Sequence, residues 1–368
     1  MPYTKTTWNA GAAPGISAAN LNNLETQYDA AAADLAALIL RKAARFVVGT
    51  STAGWTSADC DYLCDGTADQ TEINAAITAL PATGGEVIIL DGTYNITAKI
   101  NVTKSNVSIR GNGNATILKR MWDSTVDEGV ITLASISGCL VEDLQVDGNK
   151  ASYAAVYNHG IYLVYGSSSN TVTGNTCDNN NNGVFLSGSS SNTVTGNTCD
   201  NNSNGVFLSG SSNNTVTGNT CNNNNNGVFL ADSSSNTVTG NTCDNNSNLG
   251  VFLSGSSSNT VTGNTCNNNS SSSIRLTGSS SNNTVTGNTY NNNNNSGIYL
   301  SSSDRNNVTG NTCMRGTGLA GDYTAAQYTI YLNGTGNDYN LVSSNLIMGK
   351  DVVSGGGTGN TLVNNKFA

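Results

Sequence analysis

The chain has 368 residues and a formal net charge of −9, with 11% charged and 37% hydrophobic residues. That weak acidity offers no electrostatic surface for nucleic acid or an anionic membrane. No apolar run reaches the length of a membrane span, and the opening MPYTKTTWNAGAAPG lacks the basic-then-apolar order of a secretory leader. Synthesis and assembly in a cytoplasm are therefore expected. Nine cysteines, an odd number, allow a disulfide framework, but six of the nine at one repeat position point to packing instead, and a single histidine, His159, argues against a zinc site. No metal and no cofactor is expected.

Residues 1–48 are read as an attachment segment and helix. Ser17 or Asn20 is a suitable N-cap, and the alanine-rich stretch that follows favours helix. Leu21, Leu24, Tyr28, Ala31, Leu35 and Leu38 keep the 3-4 spacing of a coiled-coil seam. The alternative is a single helix packed against the rest of the chain. Through Trp8, Pro14, Gly15, Ile16, Ala18, Asn20, Leu21 and Glu25 the stretch resembles the leading segment of phage and prophage tail appendages. The resemblance implies a homotrimer, docking to a tail or baseplate protein through this end, and a place in the virion.

Residues 49–104 are read as a capping and opening segment. From Cys64 the chain reads CDGTADQTEINAAITALPATGGEVIILDGTYNITAKINVTKSNVSIRGNGNATILK. Asp65, Gly66, Asp69 and Thr71, the helical Ala75–Leu80, the strand pair Gly84–Tyr94 and the stretch Ser105–Gly113 resemble the start of the pectate-lyase-like superfamily. The resemblance implies an all-β, single-stranded, right-handed parallel β-helix, with the short helix Glu72–Leu80 covering its open end. Beyond it lies an acidic run of Asp123, Asp127, Glu128, Glu142, Asp143 and Asp147, in which Asp127 and Glu128 form the exposed-looking pair. No Arg or Lys stands in a recognisable lyase constellation, so pectate-lyase chemistry is not expected.

Residues 105–368 are read as the β-helix itself. The Val of NTVTGN recurs at Val172, Val194, Val216, Val238, Val261, Val285 and Val308, a step of 22 to 24 residues. A Cys column (Cys177, Cys199, Cys221, Cys243, Cys266, Cys313) keeps the same step, with Tyr290 substituting once. Two further columns begin at Val184 and Leu186. Such strict periodicity outweighs the Asn/Ser-rich composition, which alone would read as disorder. Each period is one coil with Val, Cys, Val/Ile and Leu inside. The Asn of GN (Asn175, Asn197 and onward) is expected to stack as an amide ladder in a corner. On the order of eleven coils give a rod roughly 50 Å long. The repeats resemble the Asn-rich coils of the NosD-like branch of the superfamily.

Four features are candidates for function. Phe185, Phe207, Phe229 and Phe252, continued by Tyr162 and Tyr299, occupy a position that also accepts Arg275 and so faces outward. An outward apolar stripe marks a subunit interface or a glycan-stacking platform. Asp178 and Asp200 stack about 5 Å apart, the spacing of a retaining glycosidase pair, although Asn replaces them in other coils, as a turn allows. Two insertions at one corner carry Tyr153, Tyr157, Lys150 and His159 at one end, and Arg315, Asp322, Tyr323 and Tyr328 at the other. The Thr pairs of TVT form a regular outward array of the kind seen on ice-binding faces. The reading these support is a phage or prophage tail fibre or tailspike-like receptor-binding protein presenting a neutral-glycan surface. Alternatives are a depolymerase using paired carboxylates, a purely structural fibre, and an ice-binding protein.

Overall fold

A computed structural model describes residues 18–314, 328–348, 353–354 and 357–367. Helix α1 (Ala18–Ala43) leads directly into the strand Arg45–Thr50, which opens the first coil. Helix α2 (Gln70–Ala79) buries Ile73, Ala76 and Ile77 against the end of the rod. It begins two residues earlier than the sequence suggests, because the side chain of Gln70 is tied to Thr97 through both its backbone and its hydroxyl.

From there the chain winds as a parallel β-helix. A 16-stranded sheet carries the TVT segments, an 11-stranded sheet carries the GVFL segments, and a four-stranded sheet joins the later TC segments. All pairings are parallel, and those of the repeats are in register, so that Val172 lies beside Val194 and Val184 beside Val206; before the repeats the strand Val107–Arg120 bulges against Leu140–Asp147. The four inward columns are as expected: Val194, Cys199, Val206 and Leu208 have no exposed surface, and Tyr290 takes the Cys position with 1% exposed.

Such a thin interior leaves little apolar area per coil, and polar columns complete it. The single expected amide ladder is in fact three, running through Asn170, Asn175 and Asn180, each fully or nearly buried. Asn192 donates Nδ2 to Asn214 Oδ1 at 3.3 Å, and Asn202 N–H donates to Asn224 Oδ1 at 2.8 Å. A serine column adds a fourth, with Ser211 N–H donating to Ser233 Oγ at 3.0 Å. These side chains satisfy backbone groups that bending at each corner removes from the sheets.

The corners explain the composition. Asn201, Asn223 and Asn245 adopt left-handed φ of 58–60°, a conformation that Asn tolerates and β-branched residues do not. Gly227 is needed for a different reason: a Cβ there would sit 2.7 Å from the Cβ of Cys243.

Candidate functional site

The outward column of the 11-stranded sheet is set by register: Asn101, Thr132, Tyr162, Phe185, Phe207, Phe229, Phe252, Arg275, Tyr299 and Tyr331 lie side by side. The rings from Tyr162 to Phe252 stack nearly parallel, with centroids 4.6–5.0 Å apart. Arg275 continues the row as a cation 4.9 Å from the Tyr299 ring, and Tyr299 meets Tyr331 edge-on. The row therefore lies on the outer face of the sheet, apart from the main core, but its first two rings are covered: Tyr162 and Phe185 are buried, packed with Val164 and against His159, and only Phe207, Phe229 and Phe252 are half-exposed. Its ring faces, however, are turned onto one another, so the interior of the row offers edges and not stacking platforms. An amide column, Asn182, Asn204, Asn226 and Asn248, flanks it with side-chain hydrogen bonds of 2.8–3.1 Å. Ser187, Ser209 and Ser254 flank the other side, interrupted by Ala231 between the last two.

At the head of the row the column carries short side chains, and a pocket of about 490 Å³ opens over Thr132 and Ala134. Lys99, Asp127, Glu128 and Tyr165 line it. Glu128 pairs with Lys99 Nζ at 2.9 Å and accepts from Ser124 Oγ at 3.0 Å. Asp127 lies 3.1 Å from His159 Nε2, while His159 Nδ1 lies 3.1 Å from Asn182 Nδ2. The amide nitrogen can only donate, and the Asn182 oxygen is taken by Asn204 Nδ2, so Nδ1 accepts and Nε2 carries the proton that it donates to Asp127. Burial pushes the pKa of His159 down to about 4, against the opposing pull of Asp127. The imidazole is therefore neutral at neutral pH.

Beneath this pair lies Arg120, fully buried. It donates to the carbonyls of Glu128 (3.1 Å) and His159 (2.7 Å) and to Asn158 Oδ1 (3.2 Å), and it stacks on Trp122. Burial lowers its pKa to about 9. It bolts together the two strand ends that carry Asp127 and His159. Sequence reasoning singled out the pair Asp127 and Glu128, and His159 apart from them, and missed Arg120, Lys99 and Tyr165. A signal for Tyr165 existed: Val164 pairs with Ser187, so Tyr165 stands in the corner column where the following coils have Gly188 and Gly210.

The other candidates are dispersed. Asp178 Oδ1 accepts the backbone N–H of Asp200 at 3.0 Å, and Asp200 Oδ1 that of Asn222 at 2.7 Å. Asn222 does the same for Asp244 at 2.7 Å, so these carboxylates serve as turn acceptors that Asn can replace. Tyr157 is exposed and Tyr153 half-buried on the first inserted loop, and Lys150 of that loop reaches Ser203 Oγ at 3.0 Å. Arg315, Asp322 and Tyr323 lie outside the described residues, as do Trp8, Pro14, Gly15 and Ile16. On α1, Leu24 and Tyr28 are exposed in the single chain and Leu21 is half-buried. The side chains of Leu35 and Leu38 lie outside the described set. Thr171/Thr173 and their equivalents form in-register outward columns.

Residues 221–367 match the family model described as right handed beta helix region, and residues 98–272 that of the periplasmic copper-binding protein NosD. These matches and the solved structures below place the chain among the right-handed parallel β-helices of the pectate-lyase-like superfamily. The Dettilon tailspike protein superposes with a TM-score of 0.69 at 15% identity, over 82% of this chain and 65% of that one. The A-module of the mannuronan C-5 epimerase AlgE4 of Azotobacter vinelandii gives 0.61 at 17%, over 83% and 97%. A protein of Geobacillus virus E2, ORF18, gives 0.60 at 16%, over 95% and 63%. The chain thus spans about two thirds of the two viral proteins, and at these identities the likeness is one of fold. No curated protein matches the chain.

The donors do not fit the copper that the NosD description implies. Both nitrogens of His159 are engaged, and the Cys199–Cys266 column is fully buried, with Gly205, Gly227 and Gly250 packed onto Cys221, Cys243 and Cys266. Among the described residues, one cluster gathers three ligand-type side chains: Cys64, Asp69 and Glu72. There the Asp69 carboxylate already accepts from Gly66 N–H at 2.8 Å and Asn95 N–H at 2.7 Å, and burial raises the Cys64 thiol.

Proposed function

We propose that the protein is a phage or prophage tail appendage, a fibre or tailspike-like receptor-binding protein whose β-helix binds neutral host glycans. The observation that carries this reading is the strip on the 11-stranded sheet: apolar ring edges bordered by an amide column and a hydroxyl column, with few charges along it. A glycan chain presents the same alternation of C–H and O–H surface, and a rigid strip binds it with little ordering cost. In this reading α1 nucleates a homotrimer, the segment before it docks to a tail or baseplate protein, and the assembled appendage belongs to the virion. The test is binding of the full chain to surface polysaccharides of candidate hosts, beside its mass in solution. Absence of binding to any glycan would leave a structural fibre, and thermal hysteresis would instead favour ice binding by the Thr columns.

A second reading, depolymerisation on the same scaffold, is favoured by the His159–Asp127 pair in a pocket. Release of oligosaccharides from the bound polysaccharide would support it.

A further inference from the structure

Resting on that glycan reading, we infer that the pocket at the head of the aromatic row is a subsite for one sugar unit without negative charge, on which Tyr165 stacks and whose hydroxyl or amino group Asp127 accepts. The backbone supplies the first argument. Tyr165 has φ of +55°, and it occupies the column where Gly188, Gly210, Gly255 and Gly278, and the small or short polar Ser135, Asp232 and Ser302, take the same left-handed turn, so that it is the one aromatic among the described residues of that column. A bulky aromatic there is strained, at a cost that Gly or Asn would avoid. Nothing in packing compensates it, since 77% of Tyr165 is exposed. A strained, exposed ring on the wall of a pocket is a ligand contact placed at the expense of stability. Unlike the rings of the row, it has no aromatic neighbour covering its faces among the described residues.

The second argument is charge. Lys99 is neutralised by Glu128, and Arg120 is enclosed beneath the pocket on backbone carbonyls. Asp127 keeps half of its side chain exposed, and a neutral His159 fixes one of its oxygens without cancelling its charge. The uncommitted charge of the pocket is therefore negative. It suits a sugar hydroxyl pair or an ammonium, through charge-assisted hydrogen bonds, and repels uronate or sulfate.

The test measures affinities of the full chain for a neutral cello-oligosaccharide, a chitosan hexamer and a hexagalacturonate. The first two are expected to bind and the third to bind at least roughly tenfold more weakly. Asp127→Asn is expected to weaken the neutral and amino ligands by roughly tenfold and to shrink the discrimination against the uronate. Tyr165→Gly is expected to raise the melting temperature while weakening both favoured ligands, a combination that a merely structural tyrosine would not give. Equal or tighter binding of the uronate, or full affinity in Tyr165→Gly, overturns the subsite and leaves the glycan reading standing. Failure of all three probes, with host polysaccharide still bound, also overturns the subsite; failure of every glycan overturns both.

Discussion

Asn197 directs two hydrogen bonds onto one oxygen of Asn219, from Nδ2 at 3.0 Å and from its own backbone N–H at 3.0 Å. Asn219 in turn donates to Val194 O at 2.9 Å and to Asn241 Oδ1 at 3.0 Å. All of this is buried. Asn219→Ala strands the backbone N–H of Asn197 and takes a donor from the Val194 carbonyl, while Asn197 Nδ2 keeps Val172 O and Thr195 O; a buried group left without a partner costs about 1–3 kcal/mol. Asn219→Asp keeps the acceptor and loses the donor, placing a carboxylate against Asn241 Oδ1 and Val194 O. Both variants are expected to lower the urea midpoint, the Asp variant more at neutral pH. Because coils contact only their neighbours, amide exchange should rise first in the coils on either side. An unchanged midpoint would mean that the ladder is incidental.

The legibility of the molecule divides along the same line. A step of 22 residues fixes every inward column, because in-register parallel stacking puts like residues on like. The burial of Val, Cys and Leu could thus be read from spacing alone. The two extra amide ladders were equally periodic in the sequence, but Asn at 170 and 180 looks like ordinary turn composition until the corner geometry shows which amides point inward. The direction of the Phe row followed from its tolerance of Arg275; the mutual stacking of its rings did not, since spacing says nothing of ring orientation. The pocket was least legible. Arg120, Lys99 and Asp127 lie in the irregular coils before the repeats, and they are brought together by strands far apart in sequence.

The thiols give a second test. All nine cysteines are free, and eight of them are buried, with Cys60 the exception. Burial raises the Cys60 thiol and the Cys139 thiol, and the core thiols of Cys199, Cys221 and Cys266 stand well above their ordinary range; Cys243, held down to about 5 by hydrogen bonds from Cys221 and Cys266, is enclosed with no exposed surface, so access and not its charge state protects it. The thiolate is the reactive species. Native protein with a thiol reagent at neutral pH is therefore expected to modify Cys60 and spare the column, with the rest released together on denaturation. Modification of Cys221 at the rate of Cys60 would contradict the closed core.

His159 makes stability depend on pH in a defined window. Its folded pKa of about 4 lies below the ordinary 6.5, so between these values the unfolded chain binds the extra proton. Stability is therefore fully present above the ordinary pKa, falls as pH drops from about 6.5 to about 4, and levels off below. At about 1.4 kcal/mol per unit the loss reaches about 3 kcal/mol. The melting temperature of the parent is expected to follow this slope, and His159→Gln to flatten it. Parallel slopes in both would assign the acid sensitivity to other groups.

The aromatic row separates its two outward roles through mass and stability together. Phe207 stacks on Phe185 and on Phe229, both at 4.8 Å. In a double-mutant cycle, Phe207→Ala and Phe229→Ala should couple by about 0.5–1.5 kcal/mol, the worth of one stacked pair. That coupling exists within one chain, whatever lies on the row. If the ring edges are a subunit interface, the same variants also shift a trimer toward the 37.8 kDa of the single chain, and dilution does so further. If they are a glycan-binding strip, sedimentation is unchanged and affinity for the polysaccharide falls with each ring removed. The row is narrow, and its rings are already half-covered by one another, so removing one takes away little area that a second subunit could bury. Retained oligomeric state with graded loss of glycan affinity is therefore the expected result, and dissociation into single chains would move the row to the interface.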